Sequence, residues 1–129
     1  MVLSHALRGA IFGSGGGESG AGYFAGGRVS GWSQVTTVNR FSFPTDVRTT
    51  LGTGLGTATG QCTGLSNNGI AGYVGGGTET GGGVTTRVEK LDFSNDSISV
   101  LTPVLTVARK QPAGMANSGT AGYFAGGQD

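Results

Sequence analysis

A seven-residue stretch is written three times in this chain, and its spacing constrains the fold more than any other feature. It reads Ala21-Gly-Tyr-Phe-Ala-Gly-Gly27, then Ala71-Gly-Tyr-Val-Gly-Gly-Gly77, then Ala121-Gly-Tyr-Phe-Ala-Gly-Gly127, fifty residues apart each time. Self-similarity at a fixed period of this size marks a repeat architecture. The same offset recovers Gly31/Gly81, Thr36/Thr86, Val38/Val88, Phe43/Phe93, Asp46/Asp96, Leu51/Leu101, Leu55/Leu105 and Gly64/Gly114. No insertion or deletion is needed to align these copies. The expectation is one unit of fixed length packing on similar neighbours.

Composition narrows the class. Of 129 residues, 28 are glycine, and they do not fall on every third position, which excludes collagen. Abundant glycine and threonine, with almost no Ala/Leu/Glu/Lys runs, argue against helix. No apolar run approaches the roughly 20 residues of a transmembrane helix. Eight basic and seven acidic residues are scattered without a basic stripe, which argues against nucleic-acid binding. The single cysteine, Cys62, has no cationic neighbour in sequence and reads as a small buried packing residue.

Taken in order, residues 1–8 read as an N-terminal arm. Residues 9–59 form a first repeat, 60–109 a second and 110–129 part of a third. The glycine-rich segment from Gly9 to Ser19 reads as a short strand around Ile11 and Phe12, then a turn through Gly15–Gly17. The Gly-Tyr stretch reads as a strand with Tyr23 on one face and Phe24 on the other. Its glycines suit a place where another backbone comes close, and its closing Gly-Gly pair allows a sharp exit. The stretches Val35–Phe43 and Val84–Phe93 predict longer strands, with Phe41 and Phe43, or Leu91 and Phe93, opposite Val38 or Val88. Such strands are expected to be covered on both faces. Asx-type turns follow at Pro44-Thr-Asp46 and Ser94-Asn-Asp-Ser97. Short strands come next at Val47–Leu51 and Ile98–Leu101, and small-residue strands at Gln61–Leu65 and Pro112–Ala116. Each period thus holds four short strands and no helix, which is the arithmetic of a propeller blade.

The order of small-residue strand, hydrophobic strand ending in Gly-Gly, long strand, turn and short strand resembles the kelch repeat, over residues 9–127. Arg109 stands about where kelch repeats carry an arginine, and Arg8 is a first-copy counterpart one residue out of register. Thr59 takes that place in the middle copy, and Ile98 and Val100 occupy the region of the usual tryptophan. The Gly-Tyr-x-x-Gly-Gly form is similar to kelch-like arrays of phage and marine bacterial structural proteins, including tail and fibre components. The resemblance implies an all-β chain of about two and a half four-stranded blades.

Closed propellers have about four to eight blades, so a chain that begins and ends part-way through a unit is expected to be completed by neighbouring subunits. The identical stretches at 21–27 and 121–127 predict a head-to-tail contact, giving a ring or a filament. Three chains with two blades each would make six. The other reading is a fragment of a longer kelch array.

Residues for catalysis are sparse. His5 is the only histidine and lies in the N-terminal arm, so no Ser/His/Asp or Cys/His arrangement is marked. Asp46, Asp92 and Asp96 read as turn formers rather than metal ligands. The stretches Gly15–Gly17 and Gly81–Gly83 lack the Lys-Ser/Thr of a phosphate loop. No enzyme and no cofactor is expected. Asn95-Asp-Ser97 matches an N-glycosylation acceptor, but residues 1–8 lack the features of a secretory leader.

The expected function is structural: self-assembly of a virion or extracellular fibre component, located in the virion or outside the cell after lysis. Tyr23, Phe24, Tyr73, Val74, Tyr123 and Phe124 are the candidate packing residues between blades. The partners are further copies, and other virion proteins. The alternative is a glycan-recognition module. Trp32 would stack on a sugar ring, with Arg28, Gln34 and Glu79 in loops of the same rim.

Overall fold

The computed structural model describes residues 10–14, 20–43, 45–67, 69–102, 104–117 and 119–129. The N-terminal arm with His5 and Arg8, the turn Gly15–Gly17 and Pro44 lie outside them. The strands are β1 (Ala10–Ser14), β2 (Ala21–Ala25), β3 (Val38–Ser42), β4 (Val47–Thr50), β5 (Thr59–Gly60) and β6 (Thr63–Asn67). They continue with β7 (Ala71–Gly75), β8 (Thr78–Glu79), β9 (Val88–Asp92), β10 (Ser97–Val100), β11 (Ala113–Asn117) and β12 (Ala121–Ala125). The chain is all-β apart from a short 3-10 turn at Ser30–Trp32.

The strands form two antiparallel four-stranded sheets, ordered β1-β2-β3-β4 and β6-β7-β9-β10, and a terminal hairpin, β11-β12. A short ribbon, β5-β8, joins the connections between them. The register repeats from sheet to sheet: Tyr23 lies opposite Arg40, and Tyr73 opposite Lys90. All four strands of the first sheet lie among the described residues. The fifty-residue offset holds for β2, β7 and β12, for β3 and β9, and for β6 and β11, and only the spacing from β1 to β2 departs from it. Six residues separate β1 from β2, against three between β6 and β7 and between β11 and β12. The additional three residues of the first unit therefore fall between β1 and β2.

Successive residues of a strand point to opposite faces, and this decides what each sheet presents to the next. Ala21, Tyr23, Ala25 and Val38 form one face of the first sheet. They are buried against Cys62, Val74 and Leu91, which belong to the second unit. Phe93 and Ile98 pack at the margin of this core. Leu55, from the connection after β4, is also buried in it. Phe41 and Phe43 lie on the opposite face of the first sheet. There they are half-buried and exposed, whereas Val88 and Leu91 of the second sheet are both buried.

The Gly-Gly pairs are the joints between units. The Gly27 N–H donates to the Thr59 carbonyl (2.8 Å), and the Gly77 N–H to the Arg109 carbonyl (2.7 Å). Gly26 and Gly76 have φ of 68° and 62°, the left-handed region that a residue without Cβ enters freely. A Cβ on Gly76 would stand 2.5 Å from the Arg109 carbonyl oxygen, and one on Gly26 would fall on that of Thr59. The sharp exit expected of the Gly-Gly pair is present, and the close backbone approach falls at this pair, whereas Gly22, Gly75 and Gly122 within the strands face the side chains of Phe43, Phe124 and Leu65.

Candidate functional site

The contact between the first two sheets centres on Tyr23. Its ring stacks on Phe93 with centroids 5.1 Å apart and planes at 11°. Its hydroxyl donates to Asp96 Oδ1 at 2.9 Å, and Arg40 Nη1 meets Asp96 Oδ2 at 3.3 Å. Burial, with the hydrogen bond to Asp96 behind it, pushes the Tyr23 hydroxyl up from 10 to about 12. Asp96 stands in the turn between β9 and β10 with φ 57°, and its carboxylate reaches Tyr23 and Arg40 of the first sheet. It is more than a turn former, since it accepts the phenol of the preceding unit.

The three tyrosines of the repeat differ in what covers them. Tyr23 is 2% exposed and Tyr123 is 58% exposed. Tyr73 is half-buried and lines a cleft of about 290 Å³ with Leu65, Asn67, Asn117 and Phe124. Phe124 lies against Gly75, where an added Cβ would stand 2.7 Å from its ring. Val74 is buried in the core between the first and second sheets. Phe24 does not enter that core. It meets Phe41 edge-on on the opposite face, with centroids 5.1 Å apart.

The second group of candidate residues gathers around Arg28. Arg28 and Gln34 form an isolated β-bridge. The Arg28 guanidinium carbon lies 5.4 Å from the Trp32 ring centroid, within the range of a cation–π contact. Trp32 is 70% exposed and has φ 67°, a conformation uncommon for a bulky residue. Within the described chain it packs on no neighbouring sheet. Gln61 ties this patch to the ribbon: its side-chain oxygen accepts from Arg28 Nη2 (3.1 Å) and from Thr78 Oγ1 (2.9 Å). Glu79, next in β8, instead pairs with Arg87 at 3.4 Å. Glu89 lies buried nearby, accepting from the Gly56 N–H at 2.8 Å and 3.9 Å from Arg87.

Sequence reasoning did not single out Gln61, Glu89, Arg40 or the partnership of Asp96. The available signal was the recurrence of aspartate at 46 and 96. The Asx turns are present: Asn95 Oδ1 accepts from the Ser97 N–H, and Asp92 Oδ1 from the Ser94 N–H. The Ser94 hydroxyl and N–H hold the Asp92 carboxyl below the usual carboxylate range. Among the described residues no group of three or more His, Cys, Asp or Glu is placed to hold a metal ion. Nor is any helix among them long and apolar enough to cross a membrane.

Fold and site together define an all-β chain of repeated antiparallel sheets, the first two of which are joined through Tyr23 and Asp96. No protein-family model matches it, and no curated protein does.

Proposed function

We propose that this is a non-enzymatic structural protein whose kelch-like propeller units continue from one subunit to the next. Its setting would be a virion tail or fibre, or another extracellular fibre. The observation that carries this reading is the fate of the repeated Gly-Tyr strand. Its first copy buries Tyr23 under the next sheet, while the terminal copy, identical in sequence, leaves Tyr123 open. An apolar face of this kind is one that soluble proteins ordinarily cover. The close approach of the first strands, β1 to β6 and β6 to β11, suits the inner strands of successive blades. Static light scattering with negative-stain images tests the reading. A discrete oligomer or a filament is expected, and a folded monomer across the accessible concentration range would overturn it.

A second reading rests on Trp32, exposed and held by Arg28 at the edge of the ribbon. An aromatic face of this sort suits stacking on a sugar ring. Trp32→Ala is expected to leave stability within about 0.5 kcal/mol of the parent, because the ring buries little surface. It is also expected to leave assembly unchanged and to abolish glycan-array binding. Identical array profiles for parent and variant would remove the glycan reading.

A further inference from the structure

The self-assembly reading leaves open which surface receives the Tyr123 face, and the internal sheet contact supplies a template for it. Resting on that reading, we infer that Tyr123 docks on the Phe43–Asp46 face of the first sheet of a second copy, its hydroxyl donating to the Asp46 carboxylate.

The donor face is a copy of one that is already buried. Tyr23 lies between Ala21 and Ala25, which are buried with it. Tyr123 lies between Ala121 and Ala125 in the same seven-residue sequence. Its cross-strand neighbour Met115 is 65% exposed, so two large side chains stand open side by side. The corresponding cross-strand pair of the second sheet is Leu65 and Tyr73. There the terminal hairpin covers Leu65, and a Cβ on Gly122 would stand 2.8 Å from its side chain.

The acceptor face is also a copy. In the second sheet, Phe93 supplies the ring under Tyr23 and Asp96 supplies the carboxylate. Fifty residues earlier stand Phe43 and Asp46. Asp46 has φ 53° against 57° for Asp96, so the two aspartates share the same left-handed backbone conformation in corresponding turns. Phe43 is 50% exposed, and its ring lies back over Gly22 of its own sheet, 3.2 Å from where a Cβ there would be. Asp46 is exposed. Phe24 takes the position that Val74 holds in the second sheet and Phe124 in the hairpin. The internal contacts thus accept either an aliphatic or an aromatic side chain there. Among the described residues nothing covers either face, and each has the chemistry that the other's internal counterpart binds. The contact uses different patches on the two subunits, so it is heterologous.

Spoiling one face at a time tests this. Tyr123→Glu removes the donor and Phe43→Glu the acceptor, both at exposed positions, with far-UV circular dichroism to confirm the parent fold. Masses come from light scattering. Each variant alone is expected to be monomeric while the parent assembles. An equimolar mixture is expected to give a dimer that grows no further, because only one intact contact remains per pair. A milder set, Tyr123→Phe and Asp46→Asn, is expected to weaken self-association roughly ten- to a hundred-fold through loss of one charge-assisted hydrogen bond. If either glutamate variant alone assembles like the parent, or the folded mixture stays monomeric, the assigned contact is wrong and the self-assembly reading survives. A parent that never leaves the monomer overturns both. If a glutamate variant misfolds, an unchanged association constant in the milder set is enough to overturn the contact.

Discussion

Tyr23→Ala is expected to destabilise the protein by about 3–5 kcal/mol, read from the urea midpoint, because it empties the largest fully buried site in the core. The loss has two parts. One is the aromatic surface stacked on Phe93. The other is the hydroxyl bond to Asp96, which Tyr23→Phe isolates at about 1–3 kcal/mol. Asp96 keeps Arg40 in that variant, so its carboxylate is not left alone. The pH dependence separates the two parts further. In the folded state the phenol stays protonated up to about 12, whereas an unburied tyrosine ionises near 10. Below pH 10 both states hold the proton and the contribution is complete. Between pH 10 and 12 the unfolded state gives it up first, and the contribution is lost. The stability advantage of the parent over Tyr23→Phe should therefore shrink across that window. An advantage that stays constant to pH 12 would show that the hydroxyl is not engaged.

The second large effect is expected at the joints. Gly26→Ala and Gly76→Ala should each cost about 2–5 kcal/mol. Their φ values of 68° and 62° are unfavourable for alanine, and the new methyl would meet the Thr59 or Arg109 carbonyl in the connection that leads to the next unit. Gly126 provides the control within the same chain. It has φ 68°, but an added Cβ would meet nothing within 4 Å. Gly126→Ala should therefore cost only the conformational part, about 1–2 kcal/mol. The difference between Gly26→Ala and Gly126→Ala measures the backbone approach itself. Equal losses at the two positions, by thermal or urea melts, would mean that the joint has room for a methyl group.

Much of this arrangement was readable beforehand, for a specific reason. A period of two along Tyr23-Phe24, and again along Val38 to Phe43, needs only alternation to assign faces, and the repeat supplied the same answer more than once. The Gly-Gly pair announced a sharp strand exit because positive φ is open to glycine, and the φ values of Gly26 and Gly76 are positive. What escaped was set by distance in sequence. Asp96 lies 73 residues from Tyr23, and nothing local distinguishes a turn aspartate from one that also accepts a phenol. Glu89, a charged residue with no marker of burial, is committed by the Gly56 N–H, which is 33 residues away. The short strand read around Ile11 and Phe12 is β1, Ala10–Ser14. Leu55 reached the core from a connection, where strand periodicity has nothing to say. At the Arg28 patch the residue types were readable but not their links. Gln61 joins Arg28 to Thr78 through a turn whose own φ is 57°.

The joint at Gly27 and Thr59 has an implication for how such a chain changes over generations. It is made by an N–H and a carbonyl, and its counterpart at Gly77 and Arg109 works with an unrelated side chain on the accepting residue. Recombination that adds or removes a whole unit rebuilds the same joint at the new boundary, whatever residue arrives there. Variation in this lineage should therefore come in steps of whole units.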